Sequence, residues 1–296
     1  MNKKMLFIFN PHSGKGQLKN SLYEITDIFT KGGYDVTIHP TQGKNDAFEL
    51  ISNHAQEYDT VVISGGDGTL NEAVKGMLKI PLESRRPVGY IPSGTTNDFA
   101  SSRGIPKDPV KAAELIITGS PVPEDIGLLN GTPFTYVAAF GAFTDVSYDT
   151  PQEAKNFLGQ AAYVVEGIKR IPAIEPIQLT MKYNNYEIDD SFTVGCILNS
   201  TSMAGINFSE KYDIHFDDGL FEVLFMKKPI TLSQTQELLW GVFTGEDQDD
   251  QFRLIRTSNA EFEFEVPEKW TLDGEYGGTF RTAKMEVLHK AISFIL

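Results

Sequence analysis

Over its first 120 residues the chain alternates strand-type and helix-type segments, and this limits its fold more than any other feature. Strand patterns at 4–10, 34–40, 60–64 and 87–92 are separated by helix patterns at 18–31, 45–57 and 69–79, and further helices are expected at 96–102 and 108–118. The first helix is ended by Gly32-Gly33, the second is expected to be capped by Asn45, and the last opens with Asp108-Pro109. Such alternation builds a parallel sheet with helices on both faces. From about residue 121 the pattern changes. One more helical stretch near 155–170 precedes short β-type segments at 174–183, 192–199, 220–227, 252–257, 260–266, 269–273 and 278–281, with one helix near 231–243. Successive short strands with tight turns predict a β-sandwich or barrel. A chain of 296 residues is long for one domain, so the expectation is an α/β domain followed by a β domain, without a long linker or internal repeat.

Charge and composition exclude several classes. The formal net charge of −14 argues against a nucleic-acid binder, which neutralises phosphates with clustered Lys and Arg. The same charge is repelled by an anionic bilayer, so any membrane contact needs a local basic or apolar patch. Cys196 is the only cysteine, which rules out an intrachain disulfide and reads as a small buried residue in a reducing compartment. The apolar run after the two N-terminal lysines stops at Asn10-Pro11, too soon for a signal-peptide core, and no stretch approaches the ~20 apolar residues of a membrane span. The expectation is a cytoplasmic protein. No H-E-x-x-H, G-x-S-x-G or C-x-x-C occurs, so zinc hydrolysis, serine hydrolysis and dithiol chemistry lack support.

Three polar loops follow strands of the first half. The segment VVISGGDGTLNEAVKG (61–76) runs from an apolar strand through Gly65-Gly66-Asp67-Gly68 into a helix with Leu70, Ala73, Val74 and Met77 on one face. Ligands of open α/β sheets bind at the carboxyl ends of strands, and helix N-termini offer N–H groups to phosphates. The glycines permit close backbone approach and Asp67 suits a magnesium ion bridging nucleotide oxygens; the plain alternative is a tight turn with a helix-capping aspartate. The loop Asn10-Pro11-His12-Ser13-Gly14-Lys15-Gly16 lacks Walker A spacing, and reads either as a surface turn or as a phosphate-holding turn with one lysine. The loop Pro92-Ser93-Gly94-Thr95-Thr96-Asn97-Asp98 again joins glycine, hydroxyls and a carboxylate, with Thr95 or Thr96 available as an N-cap. Three such loops side by side at one sheet edge are much stronger evidence than any one of them.

NPHSGKG, SGGDGTLNEAVKG and PSGTTNDF together resemble the signatures of the diacylglycerol kinase catalytic family. The segments at 146–172, 199–208 (NSTSMAGINF), 217–223 (DDGLFEV) and 272–278 (LDGEYGG) resemble in particular its soluble Gram-positive branch, so the resemblance spans nearly the whole chain. GGDGT alone is shared with NAD kinases and phosphofructokinases.

The resemblance implies a Rossmann-like, phosphofructokinase/NAD-kinase-like parallel-sheet domain over 1–125, to which 286–296 returns. It implies a β-sandwich domain over 126–285 on the lipid-substrate side, with the active site in the cleft between the two. Matched residue by residue, Asn10, Pro11, His12, Ser13, Gly14, Thr41, Gly66, Asp67, Gly68, Thr69, Leu70, Asn71, Glu72 and Thr95 fall on ATP-binding positions, and Lys15 lies near the phosphates. Asp67, Asp98 and Asp125 match a carboxylate network around magnesium. Glu275 matches the proton acceptor, with Asp273 beside it as an alternative base or metal partner. The backbone oxygens of His215 and Leu220 with the carboxylate of Asp218 match a second, structural magnesium site.

On spacing alone Asp273-Gly274-Glu275 is a β-turn and Asp217-Asp218-Gly219 a solvated turn. The implied reaction is ATP- and magnesium-dependent phosphorylation of diacylglycerol to phosphatidic acid, with transient contact at the inner membrane face and a homodimer as the suggested assembly. Kinases of other lipid alcohols, NAD kinase and a catalytically silent nucleotide- or lipid-binding module remain alternatives. The apolar stretch 157–171, ending in Lys169 and Arg170, is open between lipid docking, internal packing and a dimer contact.

Overall fold

The computed structural model describes residues 2–14, 17–95, 97–141, 175–203, 206–207, 214–229 and 252–296. The helical segments expected near 155–170 and 231–243 lie outside them. The chain divides into two compact units, residues 1–126 with 289–296, and residues 127–288.

The first unit contains β1 (Lys3–Phe9), α1 (Gln17–Lys31), β2 (Tyr34–Pro40), α2 (Asp46–His54), β3 (Thr60–Gly65), α3 (Asp67–Leu78), β4 (Val88–Pro92), α4 (Asp98–Ser102) and α5 (Pro109–Thr118). All four strands are parallel, in the order β4-β3-β1-β2. Every residue of β3 and β4 is buried, whereas β2 is an edge strand with alternating exposure. Leu70, Ala73, Val74 and Met77 form the fully buried face of α3, and Ile25 and Phe29 that of α1. Asp108 caps α5, its Oδ1 accepting from the N–H groups of Val110 and Lys111, with Pro109 in the first turn.

Two helix starts differ from expectation. Asn45 adopts a left-handed conformation (φ 67°) and makes no side-chain cap; its own N–H donates to Glu72 Oε1 at 2.8 Å, and α2 stops at His54 before a 3₁₀ turn. Likewise α4 begins at Asp98 rather than 96, because Asn97 turns left-handed (φ 53°) and uses its amide on the preceding loop.

The second unit is antiparallel. It is entered along β5 (Pro121–Leu129), followed by β6 (Thr132–Phe134), β7 (Val137–Gly141), β8 (Ile177–Tyr183), β9 (Tyr186–Phe192) and β10 (Val194–Leu198). The short pair β11 (Ser202–Met203) and β12 (Ile206–Asn207) comes next, then β13 (Phe221–Met226), β14 (Phe252–Thr257), β15 (Asn259–Leu272) and β16 (Glu275–Ile295), whose end returns to the first unit with Phe294 beside Val88 of β4. Two-residue turns with both φ positive close three hairpins: Asn130-Gly131, Asn184-Asn185 and Asp273-Gly274.

One irregularity organises this unit. A shift in register between Glu263 and Glu268 bends β15, so that its first half pairs with β8 and its last residues pair with β7. The two strand sets thereby share one core, in which Phe140 packs on Trp270 (4.8 Å between ring centroids) and on Phe264 (5.0 Å), and Phe192 stacks on Phe225 (4.4 Å). The run Glu261-Phe262-Glu263-Phe264-Glu265 shows the strand period directly, with phenylalanines inward and glutamates outward. Cys196 is buried in β10, and burial pushes its thiol up to about 12, so it is an inert core residue.

A buried ion pair ties the end of α4 to β5. Arg103 donates to Glu124 Oε2 through Nε (3.1 Å) and Nη2 (2.9 Å), and its guanidinium lies 4.4 Å from the Phe99 ring centre. Both side chains are almost wholly buried. Removing one partner strands the other's charge, so Arg103→Ala is expected to cost about 3–5 kcal/mol, and the paired apolar replacement R103M/E124L clearly less. Urea denaturation of the two variants checks this.

Candidate active site

Three loops leave the carboxyl ends of β1, β3 and β4, and the first two flank the point where strand order reverses. Backbone bonds fix their bases: the N–H of Asn10 donates to Ser64 O, that of Ser93 to Gly65 O and that of Thr41 to Phe9 O, each at 2.8 Å. The loops then touch through residues that lack a side chain. Gly14, at φ +49°, is so close to the third loop that a Cβ there would stand 1.8 Å from Ser93 O. A Cβ on Gly94 would stand 2.6 Å from the Cα of Gly66. Asn10 joins the first two loops, accepting from His12 N–H at 2.9 Å and donating to Thr69 Oγ1 at 3.4 Å.

Tyr90 and Asn97 hold this contact from beneath. The Tyr90 hydroxyl, fully buried, donates to Gly65 O at 3.0 Å and lies 3.5 Å from Asn97 Oδ1. Asn97 closes the third loop on itself, accepting from Gly94 N–H and donating to Gly94 O, both at 2.9 Å. Burial, and secondarily the charge of Asp67, pushes the tyrosine well above its usual range, so it stays a neutral donor. Sequence reasoning passed over both residues. Tyr90 reads as core within an apolar strand, and the expected cap residues were the threonines.

The other matched residues of this unit are placed as follows. Gly66 is the N-cap of α3 and Asp67 its first residue, so the loop meets a helix N-terminus. The backbone N–H of Asp98 donates to Asp67 Oδ2 at 3.4 Å, which ties the start of α4 to the start of α3. Thr41, Thr69 and Asn71 are buried, Glu72 is tied to Asn45, Thr95, Gly68, Pro11 and His12 are exposed, and Ser13 is half-buried. The Leu70 side chain is wholly in the core, which leaves only its backbone for a ligand. Lys15 lies outside the described residues. Asp125 is fully buried on β5, where its Oδ1 accepts from His289 Nδ1 at 3.0 Å and from Lys290 N–H at 2.6 Å. Among the described residues no three His, Cys, Asp or Glu side chains gather as a complete metal-ligand set.

In the second unit, Glu275 is exposed as the first residue of β16, directly after the Asp273-Gly274 turn. Asp273 is otherwise occupied. Its Oδ2 accepts from Thr135 N–H (2.8 Å) and Oγ1 (2.9 Å), and its Oδ1 from the N–H groups of Tyr136 (3.0 Å) and Val137 (3.2 Å). Burial pushes this carboxyl up from its usual range, against the pull of those four donors. Its oxygens pin the 135–137 segment to the turn that presents Glu275. Asp218 Oδ1 accepts from Leu220 N–H at 2.9 Å, while Oδ2 meets Arg256 Nη2 at 2.6 Å. His215 is exposed next to this turn.

Glycine-bearing loops converging at the carboxyl ends of parallel strands, with an aspartate opening each of the two helices that follow, define a phosphate-handling α/β site of the phosphotransferase kind. Comparison with known proteins agrees. The diacylglycerol kinase catalytic domain model matches residues 4–129. The chain is 35% identical over 282 residues to a diacylglycerol kinase of Bacillus subtilis (strain 168), covering 93% of this chain and 91% of that one. It is 32% identical over 284 residues to a diacylglycerol kinase of Staphylococcus carnosus (strain TM300), covering 94% and 90%. A crystal structure from Bacillus anthracis str. Sterne, provisionally named a diacylglycerol kinase, superimposes with a TM-score of 0.84 at 25% identity, covering 99% of this chain and 95% of that one. The chain belongs to the diacylglycerol kinase family and is a lipid kinase.

Two substitutions test the supports. Tyr90→Phe removes one of the two donors to Gly65 O, which keeps the Ser93 N–H, and is expected to cost about 0.5–1.5 kcal/mol in urea denaturation. Asp273→Asn replaces an acceptor-only carboxylate by an amide whose NH₂ faces donors, and a loss of about 2–3 kcal/mol is expected in the same measurement.

Proposed function

We propose that this chain transfers the γ-phosphoryl group of ATP to the free hydroxyl of diacylglycerol, giving phosphatidic acid. The observation that carries the reading is the contact of Gly14, Gly66 and Gly94 with their neighbouring loops. It brings three backbone turns and the N-terminus of α3 within reach of one polyphosphate.

In this reading Asn10–Lys15, Thr41, Gly66–Glu72 and Thr95 bind the nucleotide, and the backbone does most of the phosphate recognition. Asp67 and Asp98 are the hard oxygen donors at that point, linked through the Asp98 N–H, and with Asp125 farther out in the network they would hold a magnesium ion. Bound magnesium supplies charge neutralisation on the transferring phosphoryl group. Glu275 accepts the proton of the lipid hydroxyl as that oxygen bonds to the γ-phosphorus and the bond to the ADP oxygen breaks. Its exposure leaves it accessible to a substrate, whereas Asp273 is not. Among the described residues no helix is long and apolar enough to cross a membrane, which suits a transient approach to a lipid held in the bilayer.

Transfer of labelled γ-phosphate from ATP to diacylglycerol, monoacylglycerol, phosphatidylglycerol, ceramide and sphingosine in mixed micelles, with NAD as a soluble control, tests the reading. Magnesium-dependent labelling of diacylglycerol above the others is expected. Preference for another lipid alcohol changes the substrate, and ATP binding without any transfer leaves a binding module. Glu275→Ala and Asp67→Ala are each expected to lower turnover by about 10²-fold or more with the fold intact by circular dichroism. Near-normal turnover in either variant removes that residue from its assigned role.

A further inference from the structure

The second cation site implied by the resemblance rests on Asp218 and the backbone around it, and the described side chains there already contain a cation. Glu222 on β13 and Arg256 on β14 are directly opposite in the antiparallel register, so both side chains project from the same face. Arg256 Nε donates to Glu222 Oε1 at 3.0 Å, and Nη2 reaches Asp218 Oδ2 at 2.6 Å. Each Asp218 oxygen has a protein partner: besides the Arg256 contact at Oδ2, Oδ1 accepts from Leu220 N–H two residues on, which shapes the turn through Gly219 at φ +78°. Glu222 is almost wholly buried, so its carboxylate needs a counter-charge at this position whether or not a metal is present.

We infer that Arg256 is the resident cation of the Asp218 turn and performs in this chain the tasks that a structural magnesium ion would perform. Those tasks are two: neutralising Asp218, and tying the 214–220 segment to the strands beside it. A guanidinium does both with directed N–H donors to two carboxylates at once. Magnesium, by contrast, demands an octahedral oxygen set and gives up its water reluctantly. An ion bound at Asp218 would stand beside the Arg256 guanidinium, 2.6 Å from Oδ2, and be repelled by its charge, so the residues present do not fit it.

The test is the thermal midpoint of the nucleotide-free protein after EDTA treatment, read with and without about 10 mM magnesium chloride. The parent protein and Asp218→Asn are expected to respond to magnesium identically, since no part of the response passes through Asp218. Arg256→Gln, which removes the resident cation, is expected to gain a magnesium-dependent rise of at least about 2 °C, lost again in the double variant D218N/R256Q. A magnesium rise in the parent protein that Asp218→Asn abolishes would overturn the inference, as would a folded Arg256→Gln protein that gains nothing. Should Arg256→Gln not fold, the comparison of parent with Asp218→Asn decides by itself.

Discussion

The contact between Gly14 and the carbonyl of Ser93 is the constraint on which the nucleotide side of the molecule depends. Three loops from three strands meet only if none of them carries a side chain at the meeting point, and Gly14, Gly66 and Gly94 provide that. The close approach concentrates backbone dipoles where α3 also begins, so the same geometry that demands glycine gathers the donors on which the proposed phosphate recognition rests. Tyr90 and Asn97 make it durable, because glycine loops are entropically costly and need fixed anchors. Packing and ligand recognition are therefore one requirement here.

The allocation of carboxylates follows the same logic. Several buried or half-buried acids are used as cross-links: Glu124 to Arg103, Asp125 to His289 and Lys290, Asp273 to the 135–137 segment, and Asp218 to Arg256. Each joins residues distant in sequence through charge-assisted bonds, which are stronger and more directional than neutral ones. Asp67 and Asp98 open α3 and α4 and are linked through the Asp98 N–H, and Glu275 faces solvent at the end of a rigid hairpin. In the proposed mechanism aspartates at helix N-termini receive a cation, and an exposed glutamate on a fixed turn is available for proton transfer.

Much of the first unit was legible in the sequence because its signals are local. Apolar runs of strand length, helical periodicity at Leu70, Ala73, Val74 and Met77, and the Asp108-Pro109 start each report on a few adjacent residues. Reading fell short where a helix start turns left-handed or a single polar atom acts beneath the core. Asn45 looks like a helix cap and Thr95 or Thr96 like another, yet Asn45 takes a left-handed backbone whose N–H goes to Glu72, and Asn97 takes the second helix start and closes its own loop on Gly94. Tyr90 carries its role in a single hydroxyl, invisible within an apolar strand. In the second unit Asn130-Gly131 was a readable hairpin signal that went unused, and with it β5 and β6; the length of β16 was hidden because its exposed stretches alternate with buried ones.

Short acidic motifs are where sequence alone discriminates least. Asp217-Asp218-Gly219 and Asp273-Gly274-Glu275 look equivalent as strings: two acids, one glycine, a turn. In three dimensions Gly219 and Gly274 both take positive φ, so the backbones remain alike, but the oxygens go to different partners. One Asp273 oxygen meets two backbone N–H groups and the other a backbone N–H with a hydroxyl, a neutral donor set that leaves the negative charge in place and holds the turn rigid. The Asp218 oxygens meet one backbone N–H and one guanidinium, which cancels the charge. The partner that separates the two motifs, Arg256, lies 38 residues from Asp218 and is delivered by the pairing of β13 with β14. A family motif therefore transfers its backbone geometry more securely than its ligand, since the ligand is decided by whichever side chain the neighbouring strand happens to place opposite.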